Sequence, residues 1–161
     1  SIQVDQIRAI THPDDDPKVD LTFEERQLLK QGQGQIFLLQ MSGPMSYGAA
    51  RTIAHHMGRD YDVLILDLSN VPLVGVTATL TIAAEIKAAL RRQQSQIFIV
   101  GANADIKDRL RRFRVQTVLP SSNFLPSRHH ALSKALMVLN LEDATSDATL
   151  MAPSEARLGY P

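Results

Sequence analysis

Short apolar runs alternate along this chain with segments in which apolar residues recur every three or four positions. Three runs have the length of buried strands, and they cover residues 36–41, 63–68 and 97–100. Helical spacing marks five further segments, at residues 21–31, 46–57, 76–92, 103–114 and 127–139. Because a helix lies between successive strands, we expect parallel pairing with right-handed crossovers. The pattern predicts an α/β fold with a mostly parallel or mixed four-stranded sheet, covered by four to five helices.

The fourth strand and the ends of the chain carry weaker signals. Residues 116–119 are predicted as a short edge strand that ends at Pro120. At the amino end, Val4, Ile7 and Ile10 fit a short helix or an irregular lead-in, before an acidic loop over residues 12–17. The interpretation is an N-terminal preface over residues 1–34, a folded domain over residues 35–139 and a disordered tail over residues 140–161.

The longest helix is predicted over residues 76–92. Its inward stripe is expected to contain the apolar residues at helical spacing, which are Val76, Leu80, Ala83, Ile86 and Leu90. The start of this helix follows the strand at 63–68 and a polar turn. The amide end of a helix placed after a strand is where α/β domains often hold phosphates or regulatory hydroxyls. The junction is therefore the most informative part of the chain.

Composition excludes several classes of function. Of the 161 residues, Lys plus Arg and Asp plus Glu number 17 each, so no net field attracts nucleic acid. The absence of cysteine excludes disulfides, thiolate catalysis and Cys-ligated zinc. No apolar run approaches the roughly 20 residues that span a bilayer. The chain begins at Ser1 without a methionine, which indicates a processed start or a fragment of something larger.

No catalytic, cofactor or metal site is predicted. The pairs His55–His56 and His129–His130 are adjacent in sequence, so on a helix their side chains diverge and cannot chelate one ion. Asp14–Asp16 lacks the glycine and distal glutamate of an EF-hand loop. Residues 43–46 precede a helix and offer amides to an anion, although a tight turn plus a helix cap is the more economical interpretation.

Residues 107–114 concentrate basic side chains on one helix. Arg109 and Arg112 are expected to pair with Asp105 and Asp108 at i,i+4 spacing. Lys107, Arg111 and Arg114 share roughly one face and are left without partners in this interpretation. A solvated face is the default, and the alternative is contact with an acidic partner or with a membrane surface.

At the junction over residues 61–80 the sequence resembles STAS domains, the fold of bacterial anti-sigma factor antagonists and of the C-terminal domains of SulP anion transporters. The first motif of that family, D-x-S-x-V, matches Asp67-Leu68-Ser69-Asn70-Val71. The second, D-[ST]-[ST]-G, aligns on Gly75-Val76-Thr77-Ala78. The segment Gly43–Gly48 is similar to the G-P-L-x-F-x segment of SulP domains, and the order of elements over residues 35–139 agrees as well. Among SulP proteins the chain looks most like the cyanobacterial bicarbonate transporters.

The resemblance implies a degenerate switch at Gly75, Val76 and Thr77. In the antagonists a partner kinase phosphorylates the first hydroxyl of the second motif. Here that position is Val76, which has no acceptor oxygen, while Thr77 keeps the second hydroxyl. Asp67, Ser69 and Asn70 form the loop of the first motif. The expected protein is therefore a binding domain and not an enzyme.

The first hypothesis that the resemblance supports is a regulatory and dimerisation domain of a bicarbonate transporter, with sodium dependence implied by the likeness to the cyanobacterial proteins. It implies a place on the cytoplasmic face of the inner membrane, a linker from the membrane part in residues 1–34 and contact with the transmembrane domain of the same full-length chain. A homodimer is expected through the domain and its tail. There Leu150, Met151, Leu158 and Tyr160 are candidate contacts. No cofactor and no nucleic acid partner are expected.

Two alternatives remain open. A free-standing anti-sigma factor antagonist would need an acceptor hydroxyl, and Thr77 and Ser69 are the candidates near the junction. Intact mass after incubation with a kinase distinguishes this protein from a transporter domain. A nucleotide-binding or small-molecule-binding α/β domain rests on analogy of fold alone and is tested by thermal shift with nucleotides.

Overall fold

The sheet is mixed and has five strands. A computed structural model describes residues 6–92 and 95–142 of the chain. The strands, in both sequence order and spatial order, are β1 (Ile7–Ile10), β2 (Ile36–Ser42), β3 (Val63–Asn70), β4 (Gln96–Val100) and β5 (Phe124–Leu125). β1 is antiparallel to β2, and the other neighbours are parallel. The predicted α/β class and mostly parallel or mixed sheet are confirmed, with one strand more than expected.

In the residues that the structure describes, five α-helices cover the two faces of this sheet. They are α1 (Phe23–Gln31), α2 (Tyr47–Met57), α3 (Val76–Arg92), α4 (Ala104–Arg112) and α5, which occupies residues 128–142. The beginnings of three helices are fixed by side chains that accept backbone amides, namely Thr22, Ser46 and Asn103. Thr22 and Glu25 satisfy each other's backbone amides in a capping box.

The strand residues alternate between two apolar layers. On β3, Leu64, Leu66 and Leu68 face the layer formed with α2, α3 and α4. Val63 and Ile65 face the opposite layer, which α1 and α5 complete. A central parallel strand with helices on both sides must be apolar on both faces, which explains its continuous apolar run. The first polar residue of the run, Asp67, consequently points into the α1–α5 layer.

The amino-terminal lead-in is a strand, so the expectation of a short helix or irregular segment there is wrong. Ile7 pairs with Met41 and Ile10 with Leu38, and Ile10 is fully buried. Four residues with apolar positions three apart fit a helical turn or a short strand. The strand forms here because β2 offers a free edge with which it can pair. Val4 lies outside the described residues.

Residues 116–119 do not form the predicted edge strand. A 3-10 helix occupies Val115–Thr117, and the amide of Leu119 donates to the carbonyl of Val115 over 2.8 Å. Val115 and Leu119 are both buried because their spacing of four residues puts them on one side of a helical turn. The edge position in the sheet belongs instead to Phe124–Leu125, which pairs with β4.

The predicted division of the chain at residues 34 and 139 stays a prediction. β1 and α1, which lie in the predicted preface, are packed into the sheet and into the α1–α5 layer. Of the predicted tail, residues 143–161 lie outside the described part, including the four candidate contacts named above. Within residues 6–92 and 95–142, none of the helices has the length and apolar character that crossing a membrane requires.

Candidate regulatory site

The carboxyl end of β3 carries a buried carboxylate. Asp67 is only 3% exposed, because the alternation of the strand directs its side chain into the α1–α5 layer. Its Oδ1 accepts the backbone amide of Ser69 over 3.0 Å and the hydroxyl of Ser69 over 2.6 Å. The hydroxyl of Ser69 is thereby held against Asp67, within the last four residues of β3.

Gly101, directly after β4, is in close contact with Ser69 at the end of β3. A Cβ atom at Gly101 would lie 2.7 Å from the Cα of Ser69 and would overlap its side chain. Gly101 also has φ +68°, a backbone conformation that side chains rarely adopt. The residue after β4 must therefore be glycine, both because of its positive φ and because Ser69 leaves no room for a Cβ atom.

Arg128, at the start of α5, joins three separate parts of the chain. Its Nε donates to Oε2 of Glu25 over 2.7 Å, and its Nη2 donates to Oε1 of Glu25 over 3.2 Å. The same Nη2 donates to the carbonyl of Asp20 over 2.7 Å, while Nη1 lies 3.7 Å from Oδ2 of Asp67. One guanidinium thus connects α1, the chain before it and the end of β3.

The contact between Glu25 and Arg128 shifts the pKa values of both side chains. Burial alone would raise the pKa of the Glu25 carboxyl, but hydrogen bonds from Arg128 and from the amide of Thr22, with the positive charge of Arg128, outweigh burial and lower that pKa. The hydrogen bond to Glu25 raises the pKa of Arg128, although burial opposes this effect. Both groups are charged at neutral pH, and each neutralises the charge of the other through these hydrogen bonds.

An open cleft of about 860 Å³ lies between α1, the end of β3 and the start of α5. Its lining includes three carboxylates, several hydroxyls and Arg128, which is already bound to Glu25. The lining residues are Thr22, Phe23, Glu24, Glu25, Asp67, Ser69, Asn70, Pro126, Ser127, Arg128 and His129. Asp67, Ser69 and Asn70 all line this cleft, but they belong to the end of β3, so the expectation that they form a loop is wrong. Three carboxylates against one engaged guanidinium make the cleft unsuited to a small anion.

The part of the chain that the structure describes contains no candidate metal site. No group of three or more His, Asp and Glu side chains there has the geometry of an ion site. His129 lies 3.4 Å from Glu24 at the exposed rim of the cleft, while His55 and His56 belong to α2 on the other side of the sheet.

The second predicted group lies at the start of α3 and does not line the cleft. Gly75 has open space where a side chain would project, so a larger residue fits there without a clash. Val76 is 63% exposed, and Thr77 is also exposed. Asp67, Ser69 and Asn70 therefore face the α1–α5 side, whereas Gly75, Val76 and Thr77 lie on the α2–α3 side. Nothing in the residue pattern predicted that these two groups lie on different sides of the sheet.

Exposed apolar side chains gather at the adjoining amino ends of α2 and α3. The amide of Met45 donates to the carbonyl of Leu73 over 3.0 Å, which brings the two helix starts together. The members of this apolar patch are each more than half exposed, and they are Tyr47, Leu73, Val76 and Leu80. The expectation that Val76 and Leu80 lie on the buried stripe of α3 is wrong. The buried side chains are instead those of Ala78, Thr79, Ile82, Ala83, Ile86 and Ala89.

The Arg128–Glu25 contact was not predicted from the sequence. The residue pattern assigned a partner to neither Glu25 nor Arg128. A capping box at Thr22 and Glu25 was the available signal, because it orients Glu25 at the end of a helix. The partner 103 residues away depends on the sheet topology, which no local pattern contains.

The chain is similar to known proteins over most of its described length. The family profile described as the STAS domain matches residues 27–131. The bicarbonate transporter BicA of Picosynechococcus sp. is 35% identical over 139 residues, which are 85% of this chain and 24% of that protein. BicA of Synechocystis sp. is 33% identical over 155 residues, which are 93% of this chain and 27% of that protein. The chain thus spans about a quarter of the length of these relatives.

A solved structure agrees with the fold and with this relationship. The STAS domain of a SulP transporter from Vibrio cholerae superposes with a TM-score of 0.53 and 27% sequence identity. The superposition covers 62% of this chain and 80% of that domain. The predicted likeness to STAS domains of SulP proteins is confirmed by these matches.

Proposed function

This chain belongs to the STAS domain family, and on that basis we propose that it is the cytoplasmic regulatory and dimerisation domain of a SulP-type bicarbonate transporter. Its two BicA relatives are named as bicarbonate transporters, and each is about four times longer than the part that matches. The transmembrane part would belong to the same full-length chain, on the inner membrane. Transport would depend on the position of this domain relative to that part.

The observation that carries the proposal is the apolar patch at the degenerate switch. Val76 occupies the position at which antagonists of this family carry a phosphorylated hydroxyl. It is largely exposed, as is Leu80 one helical turn further along α3. Exposed apolar side chains grouped in this way favour contact with another protein surface. Because valine at this position has no hydroxyl to accept a phosphoryl group, the patch supports constitutive contact over a phosphorylation switch at residue 76.

A role without catalysis fits the polar residues at the other side of the sheet. The guanidinium of Arg128 is occupied by Glu25 and by the carbonyl of Asp20, and the hydroxyl of Ser69 is held by Asp67. These groups stabilise the fold at the point where α1, β3 and α5 meet. In this proposal they fix the orientation of α1, and hence of the chain that leads to the membrane part.

The proposal is tested in the full-length transporter with a double substitution, Val76→Asp with Leu80→Asp. Both positions are exposed, so the domain is expected to fold while the patch loses its apolar character. We expect bicarbonate uptake, measured with and without sodium, to fall although the protein reaches the membrane. Met137→Asp is the matched control, because Met137 is 61% exposed on α5, away from the patch. Full uptake by the double variant, at normal protein level, would contradict the proposal.

Dimerisation is tested separately on the 161-residue chain. We expect a mass of twice 17.8 kDa by light scattering and a lower dimer affinity after deletion of residues 140–161. The two aspartates at positions 76 and 80 should weaken the dimer if the patch is its interface. A monomer at all concentrations would remove dimerisation from the proposal and leave contact with the membrane part as the role of the patch.

A second candidate, a phosphorylated antagonist, has one supporting observation. Thr77 keeps a hydroxyl at the exposed first turn of α3. Incubation with a partner kinase followed by intact mass distinguishes the candidates, since Thr77→Ala would abolish a phosphate added there. No phosphorylation by such a kinase is the result expected of a transporter domain.

A further inference from the structure

The surface formed by α4 and the turn after it carries a concentrated positive charge. The chain as a whole is neutral, whereas residues 104–114 contain five basic and two acidic side chains. Ile106 and Leu110 are buried against the sheet, so the basic residues of this amphipathic helix face outward. Such a field on one side of a neutral domain attracts an anionic surface.

Three of these cations are available to a ligand. Asp108 is shared by Arg111, at 3.3 Å, and Arg112, at 3.2 Å, in exposed ion pairs that contribute little. The predicted pair of Asp105 with Arg109 is absent from the ion pairs of the described residues. Lys107 and Arg114 have no ion-pair or hydrogen-bond partner for their side chains within that part of the chain. We define the basic surface as Lys107, Arg111 and Arg114.

A small cleft opens into this surface. It has a volume of about 210 Å³ and is lined by Lys107, Arg111, Gln116, Ser121 and Phe124. An ammonium, a guanidinium, an amide and a hydroxyl are donors suited to phosphate oxygens, and no carboxylate lines the cleft. The cleft beside Asp67 has the opposite character, with three carboxylates.

The backbone next to the cleft is held in an unusual conformation. Arg114 has φ 62°, in the left-handed region that non-glycine residues seldom occupy. The ammonium of Lys87 donates to the carbonyl of Phe113 over 2.6 Å, and the hydroxyl of Thr117 donates to the carbonyl of Arg114 over 2.7 Å. These bonds hold a turn that a glycine would form without strain. An arginine there adds a positive charge directly after α4, at the cost of that strain.

We propose that the basic surface binds the phosphate groups of anionic phospholipids and so docks this domain on a membrane surface. Val118, an exposed apolar residue next to the turn, would reach the same interface. Charge complementarity selects this occupant, since a membrane offers many phosphates to several cations at once. Each basic residue near such a surface contributes up to about a fivefold gain in binding. The proposal goes beyond the proposed function and does not depend on which anion is transported.

The test measures co-sedimentation of the 161-residue chain with vesicles of phosphatidylcholine, with and without phosphatidylglycerol. We expect binding only with phosphatidylglycerol and release at high salt, because screening shortens the reach of charges from about 8 Å at physiological ionic strength to about 3 Å at 1 M salt. The variant Lys107→Gln/Arg111→Gln should bind about 25-fold more weakly. The matched control, Lys18→Gln/Lys30→Gln, removes the same charge from exposed positions elsewhere and should bind almost normally.

Arg114→Gly separates loss of charge from loss of fold. Glycine suits φ 62°, so this variant should be at least as stable as the parent and yet bind the vesicles about fivefold more weakly. Equal losses in the test and control variants, or no binding to phosphatidylglycerol, would overturn the proposal. Protection of the chain by inorganic phosphate in thermal unfolding, without vesicle binding, would also overturn it and identify free phosphate as the ligand.

Discussion

The guanidinium of Arg128 lies 2.7 Å from the carboxylate of Glu25, although the two residues are 103 positions apart in the chain. This contact joins the first helix of the domain to the last, and the same guanidinium lies beside Asp67 at the end of β3. Two buried carboxylates therefore share one cation. The arrangement is strong only while all three charges are present.

Arg128→Ala is expected to lower the free energy of unfolding by about 3–5 kcal/mol, since it leaves the buried carboxylates of Glu25 and Asp67 without a cation. Urea unfolding followed by circular dichroism measures the change. Arg26→Ala is the control, because Arg26 pairs with Asp14 at the surface and its loss should cost less than about 1 kcal/mol. Equal costs for the two variants would contradict this account of the cluster.

Acid should weaken the same cluster through Glu25. Because its pKa is lowered in the folded protein, its contribution is fully present above the unfolded value of 4.5 and is lost as pH falls through the folded pKa. Glu25→Gln should therefore be less stable than the parent at neutral pH, and the difference should narrow below pH 4.5. Urea unfolding across this pH range checks it. A difference that stays constant with pH would argue against a charged pair.

His56 predicts a second effect of acid at higher pH. Burial, with the nearby charges of Arg59 and His55, lowers its pKa from 6.5, and its Nδ1 is buried without a hydrogen-bond partner in the described part of the chain. Stability is therefore fully present above pH 6.5 and falls as pH drops through the folded pKa. His56→Phe preserves the ring beside Phe37 and should flatten this slope in thermal unfolding. An equally steep slope in the His56→Phe variant would contradict this role of His56.

Gly101→Ala should destabilise the domain more than Gly34→Ala does. Both glycines have positive φ, so both substitutions cost roughly 1–2 kcal/mol of backbone strain. Only at Gly101 does the new Cβ meet Ser69, whereas nothing lies within 4 Å at Gly34. Overpacking adds about 1–3 kcal/mol at Gly101. Chemical unfolding of the two variants measures the difference in the free energy of unfolding. Equal losses would show that Ser69 can move away from a Cβ at residue 101 at little cost.

Much of the fold could be predicted because its signals are local. The strands β2, β3 and β4 were recognisable because each is a continuous apolar run. The helices α1, α2 and α4 each begin at a residue of a type that commonly caps helices, namely Thr22, Ser46 and Asn103. The motif at Asp67, Ser69 and Val71 led to the family that the relatives confirm. These features depend on residues within about one turn or one strand of each other.

The errors arose where tertiary contacts decide. A helical stripe drawn through Val76 and Leu80 has the right period but the wrong phase, because burial depends on how α3 is rotated against α2 and the sheet. The edge strand at 124–125 has two residues, too few for any periodic signal. Likewise the Arg128–Glu25 contact follows from the packing of α1 and α5 on one side of the sheet, which sequence spacing cannot express.

The most direct test of the proposed function is an immunoblot of fractionated native cells with an antibody against this domain. The account predicts a band far above 17.8 kDa in the membrane fraction, because the domain would be the regulatory part of a much longer transporter. A band near 17.8 kDa in the soluble fraction would contradict it and favour a free-standing antagonist.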